Sequence, residues 1–298
     1  MSATEQQLAK PIIAKSTLAN YIELTKPGIV SLSLTGALTG MYFANRGLLP
    51  DWHIIIWSFV TLAMAIAGSC MLNHYYDRDI DKLMARTSSR PLATGVVPPA
   101  HALALGLVLV AASFILMPLM VNLTATYLTV GAVFGYVVVY TMIAKRRTPW
   151  ANQLGGIAGA MPPAIGYAAV TGGVDIKALI LFAIMVIWQQ PHALSLALKY
   201  RKEYARAGVP VIPVAKGVQA TKERITIYSV VLLLVALLPY FYDMAGQVYL
   251  LISIIISTAF LVLAIGLLRS NREYDMRLFL CSIAYLVILF VTMVYDSV

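Results

Sequence analysis

Nine long runs of apolar residues alternate with short polar segments along the chain. A helix that crosses the hydrocarbon core of a bilayer needs about 20 consecutive apolar residues, and each run is long enough for one crossing. The pattern therefore predicts an all-α integral membrane protein with nine transmembrane helices. The runs lie near residues 28–45, 53–75, 99–120, 123–142, 151–171, 176–197, 225–242, 246–268 and 277–294.

The composition agrees with a membrane protein and excludes two common classes of site. Of the 298 residues, 60% are hydrophobic and only 12% are charged, which is more apolar surface than a soluble fold of this size can bury. CxxCH and GxxxxGK[ST] motifs are absent, so the sequence supports neither covalent haem attachment of that type nor a P-loop. No soluble domain interrupts the runs, and we expect residues 1–298 to form a single transmembrane domain.

The basic residues predict the orientation. Of the 22 lysines and arginines, 20 fall on one side of the predicted spans, and the opposite side keeps only Arg46 and Lys177. Because cytoplasmic segments retain lysine and arginine, we expect a cytoplasmic N-terminal tail (residues 1–25), cytoplasmic segments 76–98 and 198–224 that form a polar cap, and an outer C-terminus. The net charge of +9 thus reports topology. We expect the protein to have the lipid bilayer as a partner and to bind no nucleic acid.

The densest run of charge is "NHYYDRDIDKLMARTSSRPLATG", residues 73–95. Asn73, Asp77 and Asp81 recur every four residues, so a helix that continues from the second span would carry them on one face. Carboxylates near a membrane need a cation or a basic partner, and oxygen ligands of this kind suit Mg²⁺. A solvated acidic helix end is the competing interpretation. An EF-hand fails, because its sixth and twelfth positions would be Lys82 and Ser88.

Basic side chains follow these acids within the same loop. Arg86 and Arg90 could serve topology alone, but arginines beside metal-binding acids are also what a diphosphate needs. In the other long segment, Glu203 stands among four basic residues; it could neutralise them or form a facing half-site. His192 follows Pro191 inside an apolar run, where a hydrogen-bonded packing role competes with a ligand role.

Small residues at a four-residue spacing indicate close helix packing. Gly36 and Gly40 form one such pair, and Gly155 and Gly159 form another. In lipid such pairs let helix backbones approach closely. We therefore favour helix crossings over a nucleotide-binding glycine loop at both pairs.

At these residues the chain resembles the protohaem IX farnesyltransferases (haem O synthases), a branch of the UbiA-type intramembrane prenyltransferases. The resemblance covers nearly the whole chain and is carried by four stretches: "YIELTKPGIV" at 21–30, "NHYYDRDIDKLMARTSSRPLATG" at 73–95, "YTMIAKRRTPWANQLGGIAGAMPPAIGY" at 140–167 and "WQQPHALSLALKYRKEYARAGVPVIPVAKG" at 188–217. It implies nine helices around a central cavity with a cytoplasmic polar cap, in a bacterial plasma membrane. It also implies farnesyl diphosphate and haem B as substrates, assisted by Mg²⁺.

The resemblance also implies roles for individual residues. The metal and basic residues would stabilise the departing diphosphate, and the allylic cation would alkylate a haem vinyl group. Glu203 departs from the family, where many members have aspartate, and this single acid puts a second protein-held metal in doubt. The roles are Mg²⁺ ligation for Asp77 and Asp81, further catalytic contacts for Asn73 and Glu203, diphosphate binding for Arg86, Arg90, Lys145 and Arg146, and haem contact for His192.

Other functions remain open from the sequence. A quinone-pathway aromatic prenyltransferase would carry an aspartate-rich second motif, which is missing. A secondary transporter would place its charges near the bilayer midplane, whereas these charges gather at one face. A non-catalytic haem-binding assembly factor would need His192 but not Asp77 or Asp81. A downstream haem-modifying enzyme or terminal oxidase is a further expected partner.

Overall fold

The computed structural model describes residues 17–298 and contains no strand in that range. Residues 1–16, with Lys10 and Lys15 of the predicted tail, lie outside the described part. The helices are α1 (Thr17–Leu24), α2 (Pro27–Ala44), α3 (Trp52–Asp81), α4 (Pro99–Met120), α5 (Leu123–Val133), continued by a π-helical segment (Phe134–Ala144), α6 (Ala151–Gly159), α7 (Met161–Thr171), α8 (Ile176–Lys199), α9 (Arg201–Arg206), α10 (Ile212–Ala215), α11 (Gly217–Val235), α12 (Leu238–Phe241), α13 (Gln247–Arg269) and α14 (Met276–Tyr295).

Seven helical segments in the described residues are long and apolar enough to cross a membrane, and each coincides with one of the nine predicted spans. Two of them join consecutive elements: α5 with the π-helical segment, and α11 with α12. The predicted class, an all-helical membrane protein, is confirmed. The seven are Trp52–Asp81, Pro99–Met120, Leu123–Ala144, Ile176–Lys199, Gly217–Phe241, Gln247–Arg269 and Met276–Tyr295.

The other two predicted spans differ in structure from the seven. The run at 28–45 is α2, an 18-residue helix with several serine and threonine residues, which make it less apolar. The run at 151–171 is not one helix but two, α6 and α7, which meet at Ala160. Pro162 and Pro163 follow this junction, and prolines lack the N–H group that would continue the helical hydrogen bonds.

The helix α3 extends six residues beyond the predicted end of its span at residue 75 and stops at Asp81. The first part of the predicted loop 76–98 is therefore helical. Likewise, segment 198–224 contains α9, α10 and the start of α11. The helix can carry Asp77 and Asp81 because both carboxylates are paired with basic side chains, which removes much of the cost of burying them.

Glycines allow α2 and α7 to cross in backbone contact. A Cβ atom at Gly40 would lie 1.9 Å from the carbonyl oxygen of Pro163, and one at Gly166 would lie 1.9 Å from that of Ala37. The prediction of close packing at Gly36 and Gly40 is thus confirmed, since Gly36 also faces Pro163. This crossing holds α7 against the N-terminal half of the bundle.

The second glycine pair lies against side chains. A Cβ atom at Gly155 would lie 2.7 Å from the ring of Tyr140, and one at Gly159 would lie 3.2 Å from Oε1 of Gln189. Both glycines line a cavity. The small residues of α6 therefore leave room for this cavity and for the Tyr140 ring.

Candidate active site

The last two turns of α3 bring three polar side chains into the protein interior. Asn73, Asp77 and Asp81 are 3%, 0% and 2% exposed. Their four-residue spacing places them on one helix face, as predicted. Buried carboxylates are costly unless they are paired, so their partners decide what this face can bind.

Asp77 lies at the centre of the cluster. Lys145, which directly follows the π-helical segment, donates to Oδ2 of Asp77, and Nδ2 of Asn73 donates to the same oxygen at 2.8 Å. Burial opposes the charged form of Lys145, but Tyr140 and Asp77 raise the pKa of its ammonium group. Oδ1 of Asp77 is buried and accepts no hydrogen bond from the described residues. One oxygen of this carboxylate is therefore available to a cation.

Two residues that the sequence did not predict complete this centre. Nζ of Lys26 donates to Oδ1 of Asn73 at 2.9 Å, and Nδ2 of Asn73 donates to Oγ1 of Thr141 at 3.1 Å. Lys26 adopts a left-handed backbone conformation (φ 51°) directly before Pro27, and burial lowers the pKa of its ammonium group. The only feature of the sequence that marked Lys26 was its position before that proline. No feature of the sequence marked Thr141.

Asp81 is held by an arginine from the following loop. Nη1 of Arg90 lies 2.9 Å from Oδ1 and 2.8 Å from Oδ2 of Asp81. The hydroxyl group of Thr87 donates to the backbone carbonyl of Asp81 at 3.0 Å. The loop thus folds back on the helix end, and the predicted diphosphate ligand Arg90 pairs with a predicted metal ligand.

Arg146 points away from this cluster. Its Nη1 and Nη2 bind the two oxygens of Asp79 at 2.7 and 2.6 Å, and Nη2 also donates to the carbonyl of Tyr76 at 2.7 Å. Asp79 is 61% exposed. Of the two neighbouring basic residues, Lys145 joins the buried acids and Arg146 joins the exposed one.

Glu203 connects the two long polar segments. The backbone N–H of Arg86 donates to Oε2 of Glu203 at 3.1 Å. The guanidinium group of Arg86 lies over the ring of Tyr200, 5.2 Å from its centroid. The start of α9 is therefore fastened to the loop that carries Arg86 and Arg90, and Glu203 makes this contact with a backbone group.

A cavity of about 390 Å³ lies next to the acidic cluster. Its lining is mostly apolar, and neither Asp77 nor Asp81 belongs to it. Tyr140 lines the cavity, and Nζ of Lys145 lies 5.8 Å from the centroid of the Tyr140 ring. This ring therefore lies between the apolar cavity and the charged cluster. The polar or aromatic lining residues are Ser33, Ser69, Thr129, Tyr136, Tyr140, Asn152, Gln189, His192 and Tyr204.

His192 lies in the cavity wall on α8, remote from the acids in sequence. Its ring stacks between Trp188 and Phe279, with centroid distances of 5.0 and 4.6 Å. Nδ1 of His192 lies 2.7 Å from Oγ of Ser282. Sequence reasoning found the histidine but neither of its two partners on α14.

The acids suit a metal ion whose ligands are completed by a substrate. In the part of the chain that the structure describes, no three His, Cys, Asp or Glu side chains converge as a metal cage. Mg²⁺ usually takes one or two carboxylates and fills its remaining positions with water and phosphate oxygens. The unpartnered Oδ1 of Asp77 and the nearby Asp81 provide such carboxylates, surrounded by basic side chains.

Comparison with known proteins supports this description. Residues 33–292 match the UbiA prenyltransferase family. The chain is 43% identical over 284 residues to the protohaem IX farnesyltransferase of Aquifex aeolicus. The matched region covers 95% of this chain and 97% of the relative.

Two solved structures share the fold at low sequence identity. A structure of a digeranylgeranylglyceryl phosphate synthase matches with a TM-score of 0.80 at 19% identity, over 95% of this chain and 99% of that chain. A UbiA homologue from Archaeoglobus fulgidus, bound to GPP and Mg²⁺, matches with a TM-score of 0.64 at 19% identity, over 92% of this chain and 99% of that chain.

Proposed function

Because the chain belongs to the UbiA prenyltransferase family, we propose that it transfers a farnesyl group from farnesyl diphosphate to a vinyl group of haem B, which gives haem O. The observation that carries the choice of substrates is the 43% identity to a protohaem IX farnesyltransferase along nearly the full length of both chains. Similarity of this extent covers the acidic cluster, the loop after it and the cavity wall together.

The shape and charge of the site suit a substrate with an anionic head and an apolar tail. The head would lie among the side chains of Asp77, Asp81, Lys145 and Arg90, and the tail in the adjacent cavity of about 390 Å³. Tyr140 would lie between the two parts. A diphosphate joined to a prenyl chain has this division between charge and hydrocarbon.

Asp77 and Asp81 would hold a divalent metal ion, Mg²⁺, through the diphosphate. When bound, the ion neutralises charge that develops on the departing diphosphate oxygens. The structure of a distant homologue with GPP and Mg²⁺ supports a metal-dependent reaction. Asn73 would position Asp77, since its Nδ2 group donates to Oδ2 of that carboxylate.

Basic side chains would then stabilise the leaving group. Arg90 and Lys145 reach the acids already, so binding of the negatively charged diphosphate would redirect them from carboxylate to phosphate oxygens. Arg86 and Arg146 are the further proposed contacts, and Lys26 joins them because its Nζ group lies at Asn73. Glu203 would hold the loop that carries Arg86 and Arg90.

Cleavage of the allylic C–O bond leaves its electron pair on the diphosphate and a farnesyl cation in the cavity. The vinyl group of haem B supplies the electron pair for the new C–C bond, and water adds to the resulting cation and loses a proton. An apolar cavity protects the first cation from water. His192 would contact the haem from the wall of this cavity.

The proposed topology follows the charge distribution. We propose nine transmembrane segments, which comprise the seven long apolar helices, α2, and the pair α6 and α7. The N-terminus and the polar segments 76–98 and 198–224 would face the cytoplasm as a cap on one domain of residues 1–298, with the C-terminus outside. The plasma membrane of a bacterium is the proposed location, where a haem-modifying enzyme or terminal oxidase would use the product.

The decisive experiment incubates the purified protein with haem B, farnesyl diphosphate and Mg²⁺ and analyses the pigment by mass spectrometry. We expect haem with an added hydroxyethylfarnesyl side chain. A parallel reaction offers an aromatic acid of the quinone pathway as the acceptor. Absence of farnesylated haem would reject the proposal, and prenylation of the aromatic acid instead would reassign the acceptor.

A further inference from the structure

The ring of His192 is fixed from three sides by two helices. It stacks on Trp188 of α8 and on Phe279 of α14 at 5.0 and 4.6 Å. Nε1 of Trp188 donates to the backbone carbonyl of Ser282 at 2.7 Å, which locks α8 to α14 beside the histidine. These contacts hold the ring in the wall of the cavity that it lines.

The hydrogen bonds of Ser282 favour one tautomer of His192, with the proton on Nδ1. Oγ of Ser282 donates to the carbonyl oxygen of Phe279 at 2.6 Å and lies 2.7 Å from Nδ1 of His192. A hydroxyl group has one proton, and a carbonyl can only accept. Both contacts are hydrogen bonds at the same time only when Oγ of Ser282 donates to Phe279 and Nδ1 of His192 donates to Oγ.

The other nitrogen of His192 is left with a free lone pair. In the neutral imidazole, a proton on Nδ1 makes Nε2 the acceptor. Nε2 forms no hydrogen bond to any residue between Thr17 and Val298, and it is not among the buried unpartnered atoms of that range. Since His192 lines the cavity, this lone pair is open to a molecule bound there.

We propose that Nε2 of His192 is an axial ligand of the haem iron and that Ser282 is the positioning residue that fixes its tautomer. This inference rests on the proposed function, which supplies haem as the acceptor. Histidines that bind metal ions usually donate their other ring N–H to an oxygen acceptor, which orients the ring and increases its basicity. Ser282 provides such an acceptor, and the bond to iron would fix the porphyrin at the wall formed by α8 and α14.

The first test compares haem B with metal-free protoporphyrin IX. Wild-type protein should bind haem B with the absorption spectrum of a histidine-ligated haem, and His192→Ala should lose that spectrum and bind haem B about 10- to 100-fold more weakly. Metal-free protoporphyrin IX should bind both proteins equally, because it has no iron. If His192→Ala weakens both ligands to the same extent, the histidine only packs against the ring, and the proposal fails.

The second test addresses Ser282 through matched serine variants. Ser282→Ala should weaken haem B binding about 10-fold and reduce the histidine-ligated fraction, while Ser282→Thr, which keeps the hydroxyl, should restore most of it. Ser257→Ala is the control, because Ser257 is also buried and hydrogen-bonded, to Tyr285, but does not line the cavity. A wild-type spectrum and affinity in Ser282→Ala would remove Ser282 from this role.

These measurements need no farnesyl diphosphate, so they separate the two proposals. Farnesylated haem without a histidine-ligated spectrum would overturn the axial ligand and leave the transferase function intact. A histidine-ligated spectrum without farnesylated haem would support the axial ligand and reject the transferase function. Loss of turnover in His192→Ala with an unchanged haem spectrum would indicate a proton acceptor instead of an iron ligand, which also overturns the inference.

Discussion

A single nitrogen atom, Nη1 of Arg90, lies within 2.9 Å of both carboxylate oxygens of Asp81. The side chain of Asp81 is 2% exposed, whereas that of Arg90 is 20% exposed. The proposed metal ligand Asp81 is thus paired with a residue that would bind the substrate's diphosphate. Substrate binding would thus replace an internal ion pair with contacts to phosphate.

Removal of Arg90 should destabilise the protein before substrate binds. Arg90→Met would leave the carboxylate of Asp81 buried without its partner, and the free energy of unfolding should fall by about 3 to 5 kcal/mol. Thermal unfolding in detergent measures the change. The double variant Arg90→Met/Asp81→Asn should recover part of the loss, whereas Arg272→Met, which breaks an exposed pair with Asp275, should cost about 1 kcal/mol or less. A stable Arg90→Met protein would contradict the prediction.

Two aspartates of the same motif should differ in their effect on turnover. Asp77→Asn should lower kcat about 100-fold or more, because several kcal/mol of charge stabilisation in the transition state depend on the metal ion, and haem binding should persist. Asp79→Asn removes the same charge, but this side chain is 61% exposed and pairs with Arg146 at the surface. We expect a change below about 3-fold. Equal losses in the two variants would show that both acids serve the metal.

The contact between Glu203 and the Arg86 amide can be measured by hydrogen exchange. Glu203→Ala removes the acceptor of this N–H group, so the Arg86 amide should exchange roughly 10-fold faster or more. The KM for farnesyl diphosphate should rise, because the loop with Arg86 and Arg90 loses its attachment. Glu273→Ala, which breaks a longer contact with Arg201 at 3.6 Å, is the matched control and should leave exchange at Arg86 unchanged. Unchanged exchange in Glu203→Ala would reject the contact.

Metal binding should depend on the diphosphate. The described residues offer no three-residue cage, so substrate oxygens must supply several of the ligands of Mg²⁺. We expect titration calorimetry to show Mg²⁺ binding about 10-fold tighter or more when a non-reactive farnesyl diphosphate analogue is present. Chelation of the metal should stop turnover and spare haem binding. Equally tight Mg²⁺ binding without the analogue would indicate a preformed protein site.

The crossing of α2 and α7 should not accept a methyl group. Gly166→Ala would place a Cβ atom 1.9 Å from the carbonyl oxygen of Ala37, and separating these backbones should cost about 1 to 3 kcal/mol or more. Gly131→Ala, in α5, would meet nothing within 4 Å and should change stability by about 0.5 kcal/mol or less. Similar unfolding temperatures for the two variants would contradict the close crossing.

The membrane class and most helices could be predicted because apolar length alone limits what spans a bilayer. The run at 151–171 shows where this reasoning ends. Both halves are apolar, so the run looks continuous, although the chain breaks at Ala160 before two prolines. The predicted span ended at residue 75, because apolar length stops where the charges begin, and only the spacing of the acids indicated a helix that continues to Asp81. Their basic partners show how this helix can bury them.

The spacing within one helix predicted the shared face of Asn73, Asp77 and Asp81, because helical periodicity is local. Contacts between distant segments have no such signal. Lys26 and Asn73 are separated by 47 positions, Asn73 and Thr141 by 68, and His192 and Ser282 by 90. Packing of the bundle brings these residues together, so the sequence pattern named one member of each pair and missed the other.

The winding of the segment Phe134–Ala144 decides which side chains reach the acids. Its hydrogen bonds join residues five apart, as from Lys145 N–H to the Tyr140 carbonyl at 2.9 Å and from the Thr141 hydroxyl to the Tyr136 carbonyl at 2.9 Å. In an α-helix, residues five apart point about 140° away from each other. Tightening this segment to α-helical winding would turn Lys145 away from Tyr140 and Thr141 away from Tyr136. The wide turns of this segment thus position Lys145 and Thr141 at the acidic cluster and Tyr136 and Tyr140 at the cavity. A single-residue deletion in the segment would shift these side chains relative to each other, although no acidic residue would be changed.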